Sequence, residues 1–327
     1  MEFFRKRLRN SWFFVNKIYL FLLFLVLSFI SFTTFIYFLL FYFIIFVYRL
    51  FTRRIPLEPR EKYEYETHVY KESNGTKLKM DIWYPKVEKT KYPVVLFAHG
   101  GGWISGFRNQ PNNVSWCKFL ASNGLVAASI DYRFGVKNTM ADILSDYTDA
   151  LNYLRQNSEK LKIDKSRIIL MGLSAGGHLA LLYSAYYSFN NAKEYMKGIK
   201  GVVVYYAPSD LKDIFSDDSK SLFAKFATLA TLKGSPQKIE DIYEYYSPIS
   251  WISERMPPIL VVHGKNDLVV PFSSSVKLVK KLKEKGVKYM FLVHKTGDHT
   301  FEFELKDFQT VRIIEKTVKF IKELTKE

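Results

Sequence analysis

Six short, almost unbroken apolar runs mark most of the chain's length, at residues 94–98, 125–130, 168–172, 202–206, 259–263 and 290–293, most of them followed by a helical pattern. A strand with one wet face alternates apolar and polar residues, whereas a strand covered on both faces does not. Runs of this kind separated by helices therefore point to a mostly parallel sheet with helices on both sides. Between two of them, Ile143, Leu144, Tyr147, Leu151 and Leu154 fall at helical spacing, and residues 276–282 repeat the pattern. Ahead of the series, alternating Tyr63, Tyr65, Thr67 and Val69 read as a strand and residues 78–84 as its partner, joined at Asn74-Gly75, a strong hairpin signal. The expected class is α/β, with an eight-stranded, mostly parallel sheet in a domain over residues 63–327. Residues 210–250 fit less regularly and are expected to form a small insertion over one end of the sheet.

Two of the runs lead into glycine-rich turns. Gly172-Leu173-Ser174-Ala175-Gly176-Gly177-His178 lies between the run ending at Met171 and a helical stretch beginning at Leu179, which places G-x-S-x-G in a strand–turn–helix context. Such a turn projects Ser174 at the strand's C-terminal end and aims the following helix's N-terminal N–H groups at developing negative charge. The earlier segment His99-Gly100-Gly101-Gly102-Trp103 also follows an apolar run. Consecutive glycines free the backbone to point N–H groups into a cavity, so Gly101, Gly102 and Ala175 are the expected donors to an oxyanion. His99 reads as a brace for this loop, and Trp103 either packs the loop or lines a substrate pocket.

With both motifs in place, the chain resembles the α/β-hydrolase esterases and lipases that carry HGGGW and G-x-S-x-G. These include acetyl-xylan and feruloyl esterase-like proteins, relatives of hormone-sensitive lipase, and kynurenine formamidases. The similarity runs over residues 63–322 and takes in Asp131-Tyr132-Arg133, Tyr246-Ser247-Pro248-Ile249 and His263-Gly264-Lys265-Asn266-Asp267. In that family the nucleophile is followed along the chain by an acid and then a histidine. The resemblance assigns the acid to Asp267, after the run at 259–263, and the histidine to His299, after the run at 290–293. Asp210 and Asp298 are rival acids. Asp131 and Arg133 are expected as a polar brace around the HGGGW loop, His178 as packing behind the elbow, and Cys117 as core filler. The implied activity is carboxylic ester hydrolysis, with amide hydrolysis of the arylformamidase or peptidase type, acyl transfer, and a non-catalytic membrane adaptor as alternatives. No cofactor or metal is implied: His263 and Asp267 have no third ligand at a recognisable spacing. The expected substrate is a small-molecule or lipid ester; its acyl and alcohol parts, and the oligomeric state, are left open.

The remaining sequence is of another kind. Residues 18–48 contain no charge, Gly or Pro, and residues 1–51 hold 14 of the 28 Phe. About 20 apolar residues cross a bilayer's hydrocarbon core, so this run suffices for one span. It is expected as an uncleaved transmembrane signal anchor, preceded by a basic tail over 1–17 and followed by a linker over 49–62, with a re-entrant hairpin turning at 31–34 as the alternative. Five cations lie on each flank: Arg5, Lys6, Arg7, Arg9 and Lys17 before it, Arg49, Arg53, Arg54, Arg60 and Lys62 after it. The short tail resists translocation, which favours a single-pass arrangement with the catalytic domain on the non-cytoplasmic side. Residues 1–60 carry +7 of the formal +16. The rest is dilute and accompanied by no nucleic-acid motif, so no nucleic-acid partner is expected. A single Cys excludes a disulfide scaffold.

Overall fold

The computed structural model describes residues 18–73 and 75–326, so the expected basic tail and Asn74 lie outside the described residues. The chain divides after Thr52 into two units, a boundary that falls within the expected linker.

In the first unit the uncharged run does not form one continuous helix. It is divided at Ser31 into a helix over residues 18–30 (α1) and a second over Phe32–Thr52 (α2). The ring of Phe24 on α1 stacks on Phe35 and Phe38 of α2, with centroids 5.3 Å and 4.1 Å apart. Residues 14 positions apart on a straight helix would be separated by about 21 Å along its axis, so the two arms fold back on each other. The expectation of a single straight span is corrected accordingly. Among the described residues no helix is long and apolar enough to cross a membrane.

The second unit is built on eight strands: β1 (Tyr65–Ser73), β2 (Thr76–Trp83), β3 (Tyr92–Ala98), β4 (Val126–Ile130), β5 (Ile163–Leu173), β6 (Ile199–Tyr205), β7 (Ile259–Gly264) and β8 (Tyr289–His294). They form one sheet in the order β1-β2-β4-β3-β5-β6-β7-β8. The β1–β2 and β2–β4 pairs are antiparallel and every other pair is parallel. The helices are α3 (Pro111–Ser122), α4 (Met140–Gln156), α5 (Ala175–Phe189), α6 (Lys193–Met196), α7 (Leu222–Leu232), α8 (Glu240–Tyr245), α9 (Phe272–Glu284), α10 (Phe301–Glu304) and α11 (Phe308–Leu324).

Successive strand residues serve opposite faces. Val94, Leu96, Leu170, Val204 and Val261 join a core with Ile143, Leu179 and Leu278 from α4, α5 and α9. Their neighbours Val95, Phe97, Met171, Val203 and Val262 join a second core with Trp116, Leu120 and Ile314 from α3 and α11. This double burial is why the strands read as continuous apolar runs. Cys117 is buried in the second core. The expected linker is partly tied to this unit: Ile55 is buried and its N–H donates to Ser115 Oγ at 3.2 Å, while Glu58 pairs with Lys118 at 3.0 Å. Residues 210–250 hold α7, α8 and two 3-10 turns.

Candidate active site

The C-terminal ends of β5, β7 and β8 bring Ser174, Asp267 and His299 together. β5 ends at Leu173 and α5 begins at Ala175, so one residue must reverse the chain's direction. That residue is Ser174, at φ 51° and ψ −117°, a conformation costly for a side-chain-bearing residue and found where surroundings hold it in place. Those surroundings are glycines. A Cβ on Gly172 would lie 2.3 Å from the Gly176 backbone, and one on Gly176 would lie 2.1 Å from the Ala98 carbonyl oxygen. The helix can therefore seat against the strands only without those side chains.

Ser174 Oγ lies 3.1 Å from His299 Nε2, to which it donates, and His299 Nδ1 donates to Asp267 Oδ2 at 2.7 Å. The carboxylate is saturated. Its Oδ1 accepts from the N–H groups of Val269 and Val270 at 2.8 and 2.9 Å, and its Oδ2 also faces His263 Nε2 at 3.1 Å. His263 is itself oriented by Ser275 Oγ, 2.6 Å from Nδ1. Burial alone would raise the Asp267 pKa, but His299 and His263 more than offset it and hold the carboxyl below the usual range. For His299, burial disfavours the imidazolium, yet Asp267, Glu302 and Asp298 outweigh it and raise the pKa above the ordinary imidazole value. The rival acids serve elsewhere: Asp210 accepts from Lys212 N–H at 3.0 Å, and Asp298 accepts from the backbone N–H groups of Leu268 and His299.

The oxyanion loop lies on the elbow, since a Cβ on Gly100 would meet Leu173 O at 3.2 Å and Ser174 Cβ at 3.4 Å. Gly101 and Gly102 have φ of 123° and 60°, values open to glycine at little cost. Neither N–H has an acceptor among the described residues. Ala175 is the first residue of α5, with no preceding turn to accept its N–H. His99 braces the loop: its ring stacks on Tyr132 with centroids 4.2 Å apart, its Nδ1 donates to Gly100 O at 2.6 Å, and Tyr132 donates to its carbonyl at 2.8 Å. Burial lowers its pKa to about 4, so it is neutral. His178 packs edge-on to Trp103 and its Nε2 donates to Tyr246 O at 2.8 Å, with burial lowering its pKa to about 4.

Some expected positions turn out differently. Trp103 is 3% exposed and belongs to the core, so the structure places it in the loop's packing and not at an open pocket wall. Asp131 does brace the loop's far end, accepting from Arg108 N–H at 2.9 Å and Arg108 Nη1 at 2.7 Å, but Arg133 turns to Asp146 and Asp142 on α4. Tyr245 and Tyr246 line a groove with Tyr183 and Tyr186, which lie about 14 Å and about 18 Å along α5 from Ser174. Among the described residues no group of three or more His, Cys, Asp or Glu is placed to hold a metal ion.

Two residues that sequence reasoning passed over adjoin the histidine. Tyr206, at φ 39°, sets its ring 4.5 Å from that of His299 and donates from its hydroxyl to Glu302 Oε1 at 2.5 Å. Glu302 is fully buried, and its pKa is pushed up to about 7 by that burial. The available signal was the acidic residue three positions after His299, which returns on α10 towards the same histidine. Above the loop lies α7: a Cβ on Gly102 would approach Ala227 Cβ at 2.8 Å and the Phe223 ring at 3.1 Å. Leu222, Phe223 and Phe226 on this helix, and Leu268 beside Asp267, are exposed.

The chain matches the BD-FAE family over residues 80–282, from β2 to α9. It is 29% identical to esterase LipC of Mycobacterium tuberculosis over 62% of this chain and 52% of that one. It is 28% identical to the probable isoprenylcysteine alpha-carbonyl methylesterase of Oryza sativa subsp. japonica over 69% and 56%. The chain thus spans about half the length of these curated relatives. Among solved structures, the butyrate-bound thermophilic esterase of Thermogutta terrifontis aligns with a TM-score of 0.64 and 25% identity, covering 80% of this chain and 94% of that one. With its eight-stranded sheet, its elbow serine and a match over more than half of its length, the chain belongs to the BD-FAE family of α/β-hydrolase esterases.

Proposed function

We propose that this chain is a serine hydrolase that cleaves carboxylic esters through an acyl-enzyme, and that residues 18–48 attach it to a membrane. The observation that carries the chemistry is the relay from Ser174 Oγ through His299 to Asp267, set beside backbone N–H groups that have no acceptor of their own. Ser174 attacks the ester carbonyl carbon as its proton passes to His299 Nε2. Asp267 holds the imidazole with Nδ1 protonated and stabilises the imidazolium that forms. The N–H groups of Gly101, Gly102 and Ala175 receive the negative charge of the tetrahedral oxygen. His299 then protonates the departing alcohol, and water, deprotonated by the same histidine, releases the acid and restores Ser174.

The likeness to an esterase and to a probable methylesterase supports an ester over an amide. The butyrate held by the Thermogutta terrifontis enzyme supports a short acyl group, for which Phe223 and Ala227 against Gly102 supply an apolar wall. Membrane attachment is supported by the uncharged run over residues 18–48, whose described large apolar side chains are mostly exposed. Hydrolysis of p-nitrophenyl acetate and butyrate by the wild type and Ser174→Ala tests the chemistry. Activity is expected only in the wild type; equal activity in both sinks the reading. Recovery of the full chain in the membrane fraction tests attachment.

A further inference from the structure

We infer that residues 18–52 enter a phospholipid bilayer from one face as a helical hairpin and return without crossing it, leaving both ends of the hairpin at the same face; this rests on the membrane attachment proposed above. The turn at Ser31 is built and satisfied. Ser31 N–H donates to Leu27 O at 3.0 Å, and Ser31 O accepts from Thr34 and Phe35 N–H at 3.1 and 3.3 Å. Ser28 Oγ donates to Phe24 O at 2.5 Å. In hydrocarbon, backbone groups must be paired within the protein, and this turn largely meets that demand without a Gly or Pro.

The arms face each other through Phe24, Leu27, Ser31, Thr34, Phe35 and Phe38, all half-buried, while the flanking side chains point outward. Neither arm has the reach of a span. The uncharged parts of the two arms, residues 18–30 and 32–48, rise about 20 Å and about 25 Å, against a hydrocarbon core of about 30 Å. The tip is apolar, with Phe29, Ile30 and Phe32 at 91%, 73% and 77% exposure. A tip that emerged among opposite headgroups would place these in water, whereas a tip that stays in hydrocarbon buries them.

The hairpin also removes a contradiction in the charges. Five cations on each flank leave a straight span without a preferred orientation. When both flanks lie at one face their charges add, in a form complementary to anionic headgroups, although Arg53 and Arg54 also pair with Glu304 and Glu58. The same bias sets that face as the cytoplasmic one, whereas the non-cytoplasmic placement belongs to a straight span.

Three full-length variants, Asn10→Cys, Lys283→Cys and Phe29→Cys, each with the buried Cys117 changed to Ala, test the topology by labelling with a membrane-impermeant maleimide in right-side-out and inverted vesicles. The expected result is labelling of positions 10 and 283 in inverted vesicles only, and of position 29 only after detergent. Labelling of 10 and 283 from opposite sides overturns the hairpin and leaves attachment standing. Labelling of both in right-side-out vesicles overturns the cytoplasmic face. Release of the protein by alkaline carbonate overturns attachment itself. Retained p-nitrophenyl butyrate hydrolysis reports that each variant has folded.

Discussion

Replacing Asp267 with Asn removes one charge and almost no volume, and the geometry around the carboxylate dictates the result. Both oxygens accept from two donors each: Oδ1 from Val269 and Val270 N–H, Oδ2 from His299 Nδ1 and His263 Nε2. An amide supplies only one acceptor oxygen, so one pair of donors must meet an NH2 group. If the NH2 faces Val269 and Val270, two buried backbone N–H groups lose their acceptor, at about 1–3 kcal/mol each. The variant avoids that cost by turning the NH2 towards the histidines. His299 must then accept at Nδ1 and carry its proton on Nε2, where it points at Ser174 Oγ and cannot take the serine's proton. In the serine-protease template, the equivalent Asp→Asn change costs about 10⁴ in kcat. The same loss here corresponds to about 5 kcal/mol of transition-state stabilisation. Stopped-time hydrolysis of p-nitrophenyl butyrate at pH 7, with near-UV circular dichroism to verify the fold, measures it. A folded Asp267→Asn enzyme with kcat within tenfold of the wild type would refute the role given to this residue.

Three further outcomes follow from the same neighbourhood. The raised pKa of His299 places the acidic limb of kcat/KM above the ordinary imidazole value of about 6.5, because the histidine must be neutral to act as base; a limb below 6 contradicts this. Glu302 has a folded pKa raised to about 7, so its contribution to stability is full below the ordinary carboxyl range and is lost as the pH rises through about 7. Glu302→Gln should therefore raise Tm relative to the wild type at pH 8 and change it little at pH 4, and should lower the acidic limb of kcat/KM; a Tm difference independent of pH would count against the buried charge. Gly176→Ala, whose Cβ would lie 2.1 Å from the Ala98 carbonyl oxygen, is expected to lose about 3 kcal/mol or more in urea unfolding or to be insoluble, and a wild-type midpoint would show that the elbow is not tightly seated.

The sheet and the serine elbow were legible because their signals are local. A strand covered on both faces declares itself as an apolar run, and a serine held between glycines that must touch backbone declares the elbow. Asp267 and His299 could be assigned only through resemblance, since nothing in a linear spacing of 32 residues shows that the β7 and β8 loops meet. Tyr206 and Glu302 stayed hidden for a related reason: the tyrosine closes an apolar run like any core residue, and Glu302 sits in Phe301-Glu302-Phe303-Glu304 without a visible partner. Trp103 was open to two readings because a tryptophan after consecutive glycines fits either a wall or a core, and its contact with His178 decides for the core. The break at Ser31 has no Gly or Pro to announce it; it comes from the pairing of Phe24 with Phe35 and Phe38.

The central claim, that Ser174 is a nucleophile activated by His299, is tested most directly by reaction with a fluorophosphonate followed by peptide mapping. One adduct per chain is predicted, on Ser174, absent from Ser174→Ala and slowed by orders of magnitude in His299→Ala. An adduct on any other residue, or labelling of Ser174→Ala at the wild-type rate, would contradict it.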